Sequence, residues 1–504
     1  MNDKIPSLRN SQIRMVNLIK NFFTATMEAM MTSKFFYKII GVGIGLGLTA
    51  LAHGQAAVTI DGNITFQTIH GWGGNTYGWL DNGWNGWEDE RVYEIAFNEL
   101  GTTHLRLVTE FECWEPENDD GDPDHFNWAY FQSRFQQSDT KAQLAQSDFN
   151  MMDKIVNTFK KQLMIGIWNV PNWMVRDPAK KDHRDLPYDK HAEFAESVAA
   201  YLLWAKNQRG IHIPEIVLAN EPDGTYLEYS PAELRDLIKT VGAKFKREGI
   251  TTKIVAPDLA SPYFAPEQWV TTLLADSTAA SHLSAISYHT YYVDGGPEQW
   301  NTQFAKIAEL AAEKKLPVYY TEVGTTPWYI PNTAWAWAFD CMQMWHNILT
   351  HGNAGVGFQW ALLGRDNVVN ADASRNPIFY ALEQYFHHIP ADAVRLAANS
   401  NHRDLLASAF KHAGKHSAQL VFINRSATNL EVSVNLKNLN LQTLEAYRTS
   451  ESEKHVRVAG YRVSNQNFRM TIPSISIMTL VGTMATAKDT VPPEPPSGVM
   501  IKEN

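Results

Sequence analysis

Between about residues 69 and 390 the chain alternates short apolar runs with amphipathic stretches. The runs at 69–73, 104–108, 163–168, 216–220, 253–257, 285–291, 318–322 and 356–360 are rich in β-branched and apolar residues and end in turn signals. Such runs predict buried strands. The stretches 232–247, 303–315 and 333–349 carry apolar residues at helical spacing and predict helices between them. Eight strand–helix units in succession predict an α/β fold, a closed (β/α)8 barrel over residues 69–390. An open doubly wound sheet would carry a glycine-rich phosphate loop after its first strand. Gly71-Trp-Gly-Gly74 lacks that spacing and has no helix start behind it.

After Pro390 the period changes. Segments 406–410, 418–424, 430–436, 456–458 and 474–481 read as strands separated by Gly, Asn and Ser turns. They predict an antiparallel β-sandwich over residues 391–483, fused to the barrel. Residues 57–68 alternate in the same way and are expected to add N-terminal strands to it. Val491-Pro-Pro-Glu-Pro-Pro496 marks residues 484–504 as a stiff proline-rich tail. At the other end, Lys34 and Lys38 precede an apolar run at 39–52, too short to span a bilayer and suited to a signal peptide. Ala50-Leu-Ala52 and Gly54-Gln-Ala56 are both plausible cleavage sites. Residues 1–52 are therefore read as an export signal, with residues before Met30-Met31 an extension from an upstream start. That predicts a secreted or periplasmic protein with no membrane span after cleavage; the alternative is a membrane-anchored N-terminus. A native peptide from residues 1–30 in a mass spectrum would refute the extension.

With 504 residues the chain exceeds one ordinary domain, and 44% apolar content is enough for a large core. Formal net charge is −10; residues 1–52 alone are +4, which leaves −14 for the rest. That acidity argues against nucleic acid or an anionic membrane as partner and suits a neutral substrate. The 16 tryptophans exceed what packing requires, and flat indole faces stack on sugar rings. Cys113 and Cys341 form no Cys-x-x-Cys pair, so neither zinc nor a redox motif is indicated; one long-range disulfide and two free thiols both remain open.

Barrel chemistry gathers at the C-terminal ends of the strands. There the chain places Arg106, Trp168, Trp173, Asn220-Glu221, His289, Tyr291, Glu322 and Trp360. Glu221 and Glu322 each close an apolar run, so the barrel should bring two carboxylates to one face. Two carboxylates about 5–5.5 Å apart serve a retaining glycoside hydrolase; a wider gap admits an inverting water. Glu221 is assigned as acid/base and Glu322 as nucleophile. Asn220 would bond the sugar 2-hydroxyl, Tyr291 and Arg106 would hold Glu322, and Trp360 and Trp173 would floor the sugar site. Each residue also has a bland reading: Asn-Glu-Pro as a strand-ending turn, Arg106 as a core ion-pair partner, His289 as a satisfied buried histidine, the tryptophans as packing. Glu110, Glu112 and Glu115, then Asp119, Asp120, Asp122 and Asp124, could as an oxygen-rich loop hold calcium, but match no EF-hand spacing and are read as a solvated acidic loop. No metal or other cofactor is expected.

Asn220-Glu221-Pro222, Tyr288-His-Thr-Tyr291 and Thr321-Glu322 resemble the fourth-, sixth- and seventh-strand motifs of glycoside hydrolase clan A. Gln67-Thr-Ile-His-Gly-Trp-Gly-Gly74, Val394-Arg395 and Pro473-Ser-Ile-Ser476 are similar to family 30 within it. The resemblance covers residues 57–483. It implies a barrel with a side sandwich built from both chain ends, and a secreted retaining β-glycosidase acting on xylan, β-1,6-glucan, β-1,6-galactan or glucosyl lipids. Of the family's loop for a glucuronate branch only Arg365 has a counterpart, which puts that specificity in doubt. The tryptophan-rich segment 75–87 suggests a cleft for several sugars and hence endo action. Exo action, or a carbohydrate-binding protein on a weakened barrel, are the alternatives.

Overall fold

The computed structural model describes residues 55–76, 89–224, 226–262, 266–291, 296–324, 333–363 and 367–484. The leader, most of the tryptophan-rich segment, Arg365 and the proline-rich tail lie outside them. Seventeen strands are numbered in chain order. β1 (Ala56–Ile69) precedes the barrel, and the barrel strands follow: β2 (Gly71–Asn75), β3 (His104–Glu110), β4 (Gln162–Asn169), β5 (Glu215–Val217), β6 (Lys253–Leu259), β7 (Leu283–His289), β8 (Val318–Val323) and β9 (Ala354–Gln359). These eight pair in parallel, and β9 closes on β2. All eight run through buried positions, as expected of strands covered on both faces.

Helices cover the outside. Pro231–Arg247 shows why they form where they do. Ser230 accepts from the Glu233 backbone N–H, the Glu233 side chain accepts from the Ser230 N–H, and proline occupies the first turn. Its buried face is Leu234, Leu237, Ile238, Val241 and Phe245, at helical spacing.

The second layer is one nine-stranded sheet: β1 with β10 (Ala393–Ser400), β11 (Leu405–His412), β12 (Ser417–Asn424), β13 (Leu430–Lys437), β14 (Leu441–Thr449), β15 (Val456–Arg462), β16 (Asn467–Ile472) and β17 (Ser476–Met484). It is mostly antiparallel; only β1 and β13 run parallel. One face of the sheet forms a single core that includes Ile60, Leu420, Phe422, Leu436, Leu444 and Leu480, with Val458 and Tyr461 of β15 partly buried against it. The sheet thus curls onto itself as a sandwich, and its edge strands β15 and β16 meet at a short turn. Its other face docks on the barrel: Phe410, Val421, Ile423 and Ile477 join the barrel core. Polar ties accompany them, such as Tyr385 Oη to Ser408 Oγ at 3.1 Å and Gln384 Nε2 to Thr449 Oγ1 at 2.8 Å.

Three sheet strands, β10, β14 and β16, lie where the sequence pattern predicted none. β1 extends to Ile69, so the first barrel strand begins at Gly71 rather than at residue 69. Cys113 and Cys341 are both buried and do not pair with each other. No described helix is long and apolar enough to cross a membrane.

Candidate active site

Arg106 organises the floor of the barrel mouth. It points inward from β3 and is 0% exposed. Gly166 on β4 leaves it room: a Cβ there would stand 2.9 Å from the guanidinium carbon. Its four described bonds radiate to three strands and the turn after β5. Nη1 donates to Asn75 Oδ1 at 3.0 Å and Glu322 Oε1 at 2.8 Å; Nη2 donates to Asn220 Oδ1 at 2.7 Å and Asp258 Oδ2 at 2.9 Å. The planar fork fits this pattern where an ammonium would not. Because the Asn220 oxygen faces Arg106, its amide NH2 is the end left to donate to a ligand.

Glu322 closes β8 and is 2% exposed. Arg106 holds Oε1, and the Tyr291 hydroxyl donates to Oε2 at 2.8 Å. Tyr291 is itself fixed by the Trp300 indole N–H on its carbonyl, at 2.9 Å. Glu221 lies beyond the short β5, in the turn. Its φ of 49° is left-handed, a conformation that costs a side-chain-bearing residue about 1–2 kcal/mol. Neighbouring strands hold the turn: the Asn220 N–H donates to Ile167 O at 2.9 Å and the Glu221 N–H to Asp258 O at 3.1 Å. One oxygen of Glu221, one of Glu322 and a ring nitrogen of His289 lie within 4.8 Å of one another.

His289 bridges the carboxylates. Nδ1 is 2.9 Å from Glu221 Oε1 and 3.5 Å from Glu322 Oε2, and Nε2 is 3.3 Å from Asp258 Oδ2. Burial alone would discharge the ring, but Glu322 and Asp258 outweigh it and raise its pKa to about 10. Burial would likewise protonate Asp258, yet Arg106 and His289 hold it down at about 2. Glu322 is pushed upward by burial and by Glu221, and held back by His289, Arg106 and the Tyr291 hydroxyl. The cations Arg106 and His289 thus face the carboxyl groups of Asp258, Glu322 and Glu221. By distance alone Glu221, His289 and Glu322 could hold a metal. Both ring nitrogens of His289 already face carboxylate oxygens.

Trp360 follows β9 and stacks on Trp168 at the end of β4, with centroids 5.4 Å apart and planes 12° apart. Tyr226 packs on the other side of Trp168 at 5.3 Å. Trp173 is engaged elsewhere: its indole N–H donates to Glu115 O at 3.1 Å, and Lys190 Nζ lies 5.6 Å from its ring centroid. The structure thus brings Arg106, Asn220, Glu221, His289, Tyr291 and Glu322 into one hydrogen-bonded group, sets Trp168 and Trp360 together as a stacked pair, and puts Trp173 among other partners.

Asp258 and Asn75 are the residues that sequence reasoning missed. The predicted fifth strand stopped at Pro257, one residue short of Asp258. A polar residue directly behind the apolar run Ile254-Val-Ala-Pro257 was the available signal, the same signal that marks Glu322.

No family model matches the chain. Among curated proteins it is similar to glucuronoxylanase XynC of Bacillus subtilis (strain 168), 23% identical over 470 residues, covering 88% of this chain and 96% of that protein. Among solved structures, a family 30 endoxylanase of Clostridium papyrosolvens C71 matches 85% of this chain and all of its own, at TM-score 0.65 and 20% identity. The family 30 subfamily 8 xylanase Xyn30A of Clostridium acetobutylicum matches 85% and 99%, at TM-score 0.68 and 18% identity. The chain is therefore similar in fold to these glycoside hydrolase family 30 proteins, a (β/α)8 barrel with a fused β-sandwich sheet.

Proposed function

We propose that this protein is a retaining glycoside hydrolase that cuts β-linked xylan within the polymer, with Glu221 as acid/base and Glu322 as nucleophile. The observation that carries the reading is the approach of the two carboxylates to within 4.8 Å at the barrel mouth, the narrow spacing that suits retention. The choice of xylan rests on the names of the relatives and is the finer part of the proposal.

In the first step Glu322 attacks the anomeric carbon while Glu221 gives its proton to the departing glycosidic oxygen. A glycosyl ester on Glu322 and a free reducing-side fragment result. Arg106 and Tyr291 hold Glu322 in line from its two oxygens. Esterification removes the Glu322 charge that kept Glu221 protonated. Glu221, now a carboxylate beside the His289 ring, takes a proton from water as the water opens the ester. Asn220 donates to the sugar 2-hydroxyl through its free NH2. Trp168 and Trp360 offer stacked indoles at the mouth, and Trp173 belongs to a subsite farther along the cleft. Export through residues 1–52 and cleavage of the leader belong to the same proposal, since the polymer lies outside the cell.

The test is product release from glucuronoxylan, arabinoxylan, β-1,3-glucan, β-1,6-glucan and β-1,6-galactan, with wild type beside Glu221→Gln and Glu322→Gln. The expected result is early release of oligomers from a xylan, with rates lower by at least about 10²-fold in both variants. Activity confined to another polymer would overturn the substrate, release of monosaccharide alone would overturn endo action, and activity surviving Glu322→Gln would overturn the nucleophile.

A further inference from the structure

The acidic segment behind β3 is only partly the solvated loop its composition predicts. Asp120, Asp122 and Asp124 are exposed, but Glu115 is 0% exposed. Facing it from helix His191–Arg209 is Glu196, 1% exposed. One oxygen each from Glu115, Glu196 and the partly buried Asp119 lie within 4.8 Å of one another. Glu115 Oε1 accepts the Asp119 N–H at 3.3 Å, and Asp119 Oδ2 accepts the Asn127 N–H at 3.1 Å. Glu196 differs: both its oxygens are shut from water and neither has a hydrogen-bond partner among the described residues. Lys244, whose charge reaches Glu196, is committed to Pro123 O at 2.9 Å and lies 3.4 Å from Glu248. Three carboxyl groups so placed need protons or a cation, because a buried carboxylate without a partner is strongly unfavourable.

We propose that Glu115, Asp119 and Glu196 form a binding site for a hard divalent cation, calcium in preference to magnesium. All donors are carboxylate oxygens, which selects against zinc and copper. Calcium accepts mono- or bidentate carboxylates in irregular geometry, whereas magnesium keeps several waters in a strict octahedron, a poor match to the buried oxygens of Glu115 and Glu196. The site joins the loop at residues 115–127 to the helix that carries Glu196. It also steadies Trp173, whose indole N–H rests on the Glu115 carbonyl.

The test is thermal unfolding of the full chain, stripped with EDTA and titrated with calcium chloride or magnesium chloride, beside Glu196→Gln and Asp119→Asn. Calcium should raise the Tm of the wild type saturably, by roughly 3 °C at a hundredfold excess over Kd, and leave both variants unmoved. Unliganded Glu196→Gln should melt no lower than unliganded wild type, since it loses a buried acid with no partner. Asp119→Asn, at a partly exposed position, carries the test if Glu196→Gln does not fold. A wild type whose Tm ignores calcium overturns the site, as does a calcium shift that survives in both variants; a response to magnesium alone overturns the choice of ion.

Discussion

At the scale of single residues, the barrel mouth is a cluster of opposed charges in which Arg106, Asp258, His289 and Glu322 shift one another's protonation. Asp258 is its least obvious member, and it supports the chemistry through Arg106 and His289 rather than by reaching a sugar. Asp258→Asn should therefore lower kcat by about tenfold or more with little change in KM, because it loosens Arg106 and discharges His289. Steady-state kinetics on the active polymer checks this; a change confined to KM would contradict it. The same pair ties stability to pH. The folded pKa of His289, about 10, lies above its ordinary 6.5, so its contribution is complete below 6.5 and fades as pH rises toward 10. Asp258 runs the other way: held at about 2 against an ordinary 3.8, it stabilises above 3.8 and that contribution is lost as pH falls toward 2. Urea unfolding across pH should show an alkaline decline that shrinks in Asp258→Asn, which lacks one of the carboxylates raising His289. An unchanged decline would count against the pairing. The positions of Glu221 and Glu322 could be read from sequence because each follows an apolar run in a barrel whose strand ends face one way. Asp258 carries the same signal, but the predicted strand stopped one residue short of it; its ties to Arg106 and His289 could not be read, because they join strands at sequence separations no periodic pattern records.

At the scale of elements, strand and helix packing sets the precision of the site. Gly166 leaves room for a guanidinium: an added Cβ would meet Arg106 at 2.9 Å, and Arg106 is tied to β2, β6, β8 and the turn after β5. Gly166→Ala should cost roughly 10²-fold in kcat while both glutamates stay in place. Near wild-type kcat would mean that Arg106 has slack the geometry does not suggest. The helix at Pro231–Arg247 depends on its capping box, so Ser230→Ala should lower unfolding free energy by about 1 kcal/mol without touching the site. Denaturant melts would detect that change, and no change would show that tertiary packing alone holds the turn. The barrel strands were legible as continuous apolar runs, which buried parallel strands produce. β16, with the burial pattern eBeBeB, alternates cleanly yet is short and sits among turn residues, and β14 alternates irregularly where its pairing slips. Both escaped prediction for those reasons.

At the scale of the whole molecule, the barrel and the side sheet share a core. Phe410, Val421, Ile423 and Ile477 pack with barrel residues, and β1 threads from the sheet directly into β2. The fold class could be read from the change of period at Pro390, but this shared core could not, since it joins residues on both sides of that boundary. A chain ending at Pro390 should fail to give soluble barrel, and the full chain should unfold in one cooperative transition. Two separated transitions by calorimetry would show instead that the barrel and the sheet are independent.

The central claim is double displacement by Glu221 and Glu322, and the anomeric configuration of the first product tests it most directly. Proton NMR of xylan in deuterated buffer, followed from the moment of adding enzyme, resolves the α and β anomers before they interconvert. The account predicts that β-anomeric reducing ends appear first and that the α form grows only by mutarotation. Appearance of the α anomer first would mean inversion, and would remove Glu322 from the role of nucleophile.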